Sequence, residues 1–309
     1  MTPLHDFSDR LPAMLVKELR QGLRAPMFIT PFIAVQAGAI IAVGVEYERG
    51  GAAGVGSPFW LVAFLVVVVL MPLRGLAALQ EESKGGNSSL LMLGGLSRWQ
   101  IVGGKWLVQV VLCGLTLLSL LPYLLVRYFL GGFEIIPNVL MAVNVMSMSA
   151  GVSGCVIGAS GYRSMALRFI VAGIGIFWVM MSGGAVSNGL SEMSRYTSRQ
   201  DWLVFWIGGP SALGLQLLYA ITGMQLGRAH LKLYLLPYEI APTGNVVSLM
   251  IFLPFILLAG TIGTMFVGTP LVLLVIIIAM IRYDRPWRPA KGKRPQQVTG
   301  MDTGWRPLS

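Results

Sequence analysis

The segment from Phe59 to Leu79, with Val66-Val67-Val68-Val69 at its centre, has the length and apolarity to cross a lipid bilayer as a helix, and it does not stand alone. A spanning helix needs about 20 mostly apolar residues, because the hydrocarbon layer leaves no water to satisfy an open backbone. The same pattern covers Met27 to Val45, Ile101 to Leu130, Ile136 to Ser160, Met165 to Val186 and Trp202 to Leu226. Gly208-Gly209-Pro210 should kink or break the last of these. A further apolar region, Val246 to Ile281, is too long for one helix and tight for two, and reads as a hairpin of two short spans turning near Gly260 to Gly268. The resulting expectation is an all-α polytopic membrane protein of six spans plus a C-terminal two-span hairpin.

Composition agrees. Charged residues make up 12% of the chain, against about 25% in ordinary soluble proteins. So few charges cannot cover so much apolar surface in water. This excludes a disordered chain, a secreted disulfide scaffold and a conventional soluble enzyme. Cys113 and Cys155 both sit inside apolar runs and read as small packing residues. No apolar stretch follows a basic start, so no cleavable signal is expected.

The net charge of +10 follows from placement. With the N-terminus inside, only Arg49, Arg127, Arg195 and Arg199 of the 23 lysines and arginines fall on external segments. This positive-inside bias supports an even number of spans with both termini in the cytoplasm. The chain then divides into a cytoplasmic amphipathic segment (1–26), a six-span core (27–226), a linker with the membrane hairpin (227–283) and a basic tail (284–309). The tail is rich in proline and cations and reads as disordered, resting on anionic lipid. No nucleic-acid module accompanies it, so no nucleic-acid partner is expected.

Two cytoplasmic elements carry the functional argument. In Leu11 to Ala25, leucines recur at 11, 15, 19 and 23, with cations on the other side. This is an amphipathic helix for the headgroup plane, with Lys17, Glu18, Arg20 and Arg24 as its polar contacts and Pro26 marking a corner before the first span. In the loop 80–105, Glu81 and Glu82 precede a short apolar helix, Leu90-Leu91-Met92-Leu93, stopped by Gly94-Gly95. Ser97-Arg98-Trp99-Gln100 then reads as a capping box opening the third span. The short helix must cover its leucines with lipid, with the chain's own spans, or with a groove on a partner.

The chain lacks the motifs of a P-loop, a nucleophile elbow or a zinc protease, and His5 and His230 have no neighbours at metal-ligand spacing. No catalytic residue and no metal site are expected. The spans as drawn carry no acidic residue away from their ends, which argues against an ion-coupled carrier. Arg127 lies near the outer end of the third span and is expected to snorkel outward. Polar residues within the spans include Gln36, Gln109, Asn144 and Gln216, which either bond between helices or line a route for substrate. Ala150, Gly154 and Gly158 form a small-residue stripe for close helix packing, and a dimer seam is the further possibility.

Several of these residues together resemble the ABC-2-type transporter permeases. The resemblance rests on Lys17-Glu18-Leu19-Arg20 before the first span, Glu81-Glu82, Ser89 to Leu93, Leu96 to Val102 with Gly104-Lys105, and Pro122-Tyr123-Leu124 in the third span. It covers about the first 130 residues well and the six-span core loosely. It implies an ABC-2-like core in a bacterial inner membrane, paired with a second permease subunit as a homo- or heterodimer. A separate cytoplasmic ATPase would bind ATP and Mg²⁺, so this chain itself would hold no cofactor. The 90–93 helix would be the coupling helix, with Glu81, Glu82, Leu90, Leu91, Met92, Leu93 and Arg98 as the contact to that ATPase. The function implied is ATP-driven export. The C-terminal hairpin has no counterpart in the family. The alternative is a membrane scaffold that binds partners and moves nothing.

Overall fold

The computed structural model describes residues 13–49, 56–80, 98–130, 135–193, 199–231, 251, 252 and 255. The chain divides into two compact units, Met1–Leu273 and Leu274–Ser309, and the described residues all belong to the first. The loop helix at 90–93, nearly all of the expected hairpin and the whole basic tail lie outside the described residues.

Every regular element among the described residues is helical. Helix α1 is Ala13–Arg24. Ala25 is extended (φ −72°, ψ 134°), as a residue before proline prefers, and Pro26 opens α2, Pro26–Glu48. Next come α3 (Pro58–Gln80), α4 (Arg98–Ser119), α5 (Leu121–Leu130), α6 (Ile135–Ala159), α7 (Met165–Ser191) and α8 (Arg199–His230). Among the described residues, five helical stretches are long and apolar enough to cross a membrane: α2, α3, α4 with α5, α6 and α7. The described part of the molecule is therefore all-helical and of membrane character. The sixth expected span, Trp202 to Leu226, falls within α8, where the side chains up to residue 204 lie outside the described residues. The helix does not break at Gly208-Gly209-Pro210: α8 runs unbroken through Pro210.

Contacts between helix ends show the order of traverse. At one end, here the first end, the finish of α2 (Glu46) meets the starts of α3 (Ser57, Trp60) and α6 (Asn138) and the finish of α5 (Arg127). At the second end, the finish of α3 meets the finish of α6 (Leu79 N–H to Ser160 Oγ, 3.2 Å) and the start of α7 (Arg168 to Leu76 O, 3.3 Å). Successive helices thus alternate in direction, the arrangement that short connections favour.

Helix α6 is the hub. It is buried along most of its length and lies against α7, α8 and α4. Its glycine stripe faces α8 of the same chain. A Cβ on Gly154 would fall 2.5 Å from Ala220 Cα, one on Gly158 would strike the Gly223 carbonyl, and one on Gly223 would strike the Gly154 carbonyl. Backbone meets backbone, so only glycine fits. The stripe is an intramolecular seam between two parallel helices.

Helix α3 is irregular. Residues Leu65–Leu70 form a π turn and Arg74–Ala77 a 3₁₀ turn, on either side of Pro72. Proline has no N–H, so the carbonyls upstream of it lose a partner. A neighbouring side chain supplies a donor instead: Ser149 Oγ donates to Val67 O (3.1 Å), where the Cys113 thiol also points (3.7 Å). Gln109 Nε2 adds a donor to Met71 O (2.7 Å), which the Arg74 backbone N–H also reaches. Irregular backbone at membrane depth is tolerated where protein covers it, as here.

The third expected span is two helices. Helix α4 stops at Ser119, because Pro122 cannot continue its hydrogen-bond ladder, and α5 resumes at Leu121.

Candidate functional site

At the second end, α1 lies against α4 and α2. Glu18 pairs with Lys105 of α4 at 3.0 Å, and Arg74 of α3 donates to Gly22 O at 3.2 Å. Gly22 is closed over by Leu112 of α4. Contacts advance from Lys105 to Leu112 as α1 advances from Glu18 to Gly22, so α1 follows α4 along this stretch. Arg20 and Arg24 are exposed. The side chain of Lys17 lies outside the described residues. The polar contacts expected of α1 are thus split: Glu18 is used to dock the helix, and Arg20 and Arg24 face outward.

Of the residues assigned to a partner contact, Arg98 is described; Glu81, Glu82, Leu90, Leu91, Met92 and Leu93 are outside the described residues. Arg98 is the first residue of α4. Beside it, the Arg228 guanidinium at the end of α8 stands 5.2 Å over the Trp99 ring. Burial, and then the neighbouring charge of Arg98, hold Arg228 below its ordinary pKa. His230 is not a lone solvated side chain. Its Nδ1 is 2.8 Å from Leu226 O, and its ring sits edge-on to Tyr162 at 4.4 Å. Arg168 is buried and donates to Tyr162 O (2.6 Å) and Arg163 O (3.5 Å), closing carbonyls just past the end of α6. The second end therefore joins α1 with the finishes of α3, α6 and α8 and the starts of α4 and α7. The connection 81–97 leaves from Gln80 and returns at Arg98 within this assembly.

The four polar residues considered for a substrate route fall in three places. Gln36 of α2 donates to Ser119 Oγ at the end of α4. Gln109 caulks α3, as above. Asn144 and Gln216 come together: Gln216 Nε2 donates to Asn144 Oδ1 (3.0 Å), and Asn144 Nδ2 donates to Gly183 O (3.1 Å) and Ser187 Oγ (3.2 Å). Gln216 Oε1, buried, has no partner.

The largest departure from expectation is at the first end. Arg127 does not snorkel outward; it is fully buried. Its Nε donates to Glu46 Oε2 at 2.7 Å, its Nη2 to Ser57 Oγ at 2.8 Å and its Nη1 to Asn138 Oδ1 at 3.4 Å. Asn138 Oδ1 also accepts from Trp60 Nε1 at 2.7 Å, and the guanidinium lies 4.8 Å from the Phe59 ring centre. Glu46 is 1% exposed, and its Oε1 has no hydrogen-bond partner. Glu46 lies just past the expected limit of the first span, in the last turn of α2, so no acidic residue sits away from a span end there; its burial is what the sequence does not reveal. The signal was indirect: topology places the ends of the first and third spans together, and these carry Glu46 and Arg127.

No family model matches this chain, and no curated protein or solved structure does either.

Proposed function

We infer that this chain is the membrane-spanning subunit of an ATP-driven exporter of the ABC-2 type, worked by a separate cytoplasmic ATPase through the connection 81–97. One observation carries the reading. The two anchors of that connection, Gln80 and Arg98, belong to an end where α1 is bolted to α4 by Glu18–Lys105 and to α3 by Arg74. A force applied to the connection enters α3 and α4 directly, and α1 stiffens the junction. The orientation that puts this end in the cytoplasm draws support from its charges. Among the described residues Arg20, Arg24, Arg74, Arg98, Lys105, Arg163, Arg168 and Arg228 lie there, against Arg49 and Arg127 at the first end.

The test is the variant Leu91→Asp with Met92→Asp in the full chain, co-expressed with the ABC-type ATPases of its own host. Wild type should yield a membrane complex whose ATPase activity depends on this chain. The variant should insert normally but lose the ATPase or its coupled hydrolysis. An unchanged, fully active complex would refute the coupling role. A complex that forms but never hydrolyses ATP or moves a compound would favour the scaffold.

A further inference from the structure

We propose that α5 is a hinged arm latched to the first end of the bundle by the buried Arg127–Glu46 pair. The ten residues of α5 include one buried side chain, and it is Arg127. The rest of the helix shows broad apolar surface outward: Phe129 is 84% exposed and Leu125 62%. The arm has a hinge at its base. Pro122 ends the ladder of α4, and Ser119, the last residue before the break, is held from α2 by Gln36. Towards its far end one guanidinium ties it to α2 (Glu46), to Ser57 at the head of α3 and to α6 (Asn138), and the chain runs on from Leu130 to α6 at Ile135.

A buried ion pair is a poor choice for plain adhesion. Its desolvation cost offsets most of the attraction, and apolar packing would hold a helix in lipid at no such cost. What it supplies is a discrete, all-or-none docking state, lost as a unit when the partners separate. Helices α6 and α8 are held independently, by the glycine seam, so release of the arm leaves that pair intact. Under the exporter reading, release of this arm would also open the outlet at the first end; that gate role rests on the exporter reading, and the arm and its latch do not.

The experiment uses the full chain in proteoliposomes, with Ala42→Cys as reporter. Ala42 is 3% exposed and lies one turn from Glu46 on the same face of α2. The native Cys113 and Cys155, both fully buried, are internal controls. Labelling by a membrane-impermeant maleimide is read site by site from peptide masses. With the latch intact, position 42 should label slowly. Arg127→Met should speed it on the order of a hundredfold and Glu46→Gln about tenfold, because labelling follows the open population when closing outpaces the reagent. Cys113 and Cys155 should stay protected, and Phe129→Leu, on the lipid face of the same arm, should change nothing. Unchanged labelling at position 42 in Glu46→Gln would overturn the proposal. So would Cys113 and Cys155 rising in step with position 42, since that marks general loosening. If Arg127→Met does not fold, Glu46→Gln decides the matter. A separate arm adds the ATPase and ATP to the wild-type complex. No response to ATP there, with the latch variants behaving as expected, would sink the gate role and leave the latch.

Discussion

The glycine seam between α6 and α8 makes the sharpest quantitative expectation. Alanine at position 154 would put its Cβ 2.5 Å from Ala220 Cα, where ordinary contact is 3.4–4 Å. The obstacle is backbone on a packed helix, so it cannot swing aside as a side chain would. The helices must part by about 1 Å at the crossing, and overpacking of this kind costs about 1–3 kcal/mol. Intrinsic helix propensity pulls the other way, favouring alanine over glycine by up to about 1 kcal/mol. Gly173 and Gly184 of α7 isolate that second effect, since a Cβ on either meets nothing within 4 Å. Gly154→Ala should therefore lie about 1–3 kcal/mol below Gly173→Ala in stability, since the propensity gain is common to both.

The two substitutions in the seam should also fail to add. Once Gly154→Ala has forced the crossing apart, Gly158→Ala finds part of the space it needs already open, so the double variant should cost less than the sum of the singles. The assay is reversible unfolding in mixed micelles of rising SDS fraction, followed by helix signal. If Gly154→Ala unfolds at the same SDS fraction as Gly173→Ala, the close crossing is wrong. If the costs add fully, the two glycines do not share one crossing.

The donors that repair α3 give a second expectation. Ser149→Ala should cost about 1–3 kcal/mol, since Val67 O then keeps only the weak thiol donor of Cys113, and Gln109→Leu about 1 kcal/mol, the net worth of one bond, because the Arg74 backbone N–H also reaches Met71 O. Ser182→Ala, which removes a bond only to Val179 O of its own helix, is the near-neutral control; equal effects in all three, read by the same unfolding assay, would refute the repair role. At the second end, Arg168→Met should cost about 1.5–3 kcal/mol, because charged donors to Tyr162 O and Leu76 O disappear together. Arg168→Lys should recover only part of that cost, since one ammonium cannot reproduce the spread of the guanidinium fork; full recovery would show that charge alone matters there.

What could be read from the chain divides along physical lines. Apolar runs locate spanning helices because lipid demands continuous apolarity, and five of the expected spans appear within a few residues of their expected limits. The corner at Pro26 was legible for a similar reason, as proline restricts its own and the preceding residue whatever surrounds them. Hydropathy is blind to backbone register. The valine run of α3 looks uniform, yet Pro72 just after it removes a donor, which Ser149 replaces at Val67 O. The stripe at Ala150, Gly154 and Gly158 was visible, but its partner was not. The counterpart, Gly223 followed four residues later by Gly227 on α8, was the clue that the seam closes within one chain.

Arg127 shows most clearly where such reading stops. An arginine near the end of a span has the same sequence signature whether it snorkels to the headgroups or turns inward, and the difference lies in a carboxylate 81 residues away. Topology decides between them. With helices alternating in direction, Glu46 and Arg127 must end at the same level, and an unpaired charge there would be costly to bury. The consequence reaches the functional argument. The absence of acidic residues away from the span ends had been a reason to set aside an ion-coupled carrier, and Glu46, in the last turn of α2, lies at such an end. A charge that closes a four-helix junction onto a guanidinium acts as a tie, since removing it leaves a buried cation without its counter-ion. The exporter reading therefore stands on the junction of α1, α3 and α4 at the opposite end, and on no feature of the spans between.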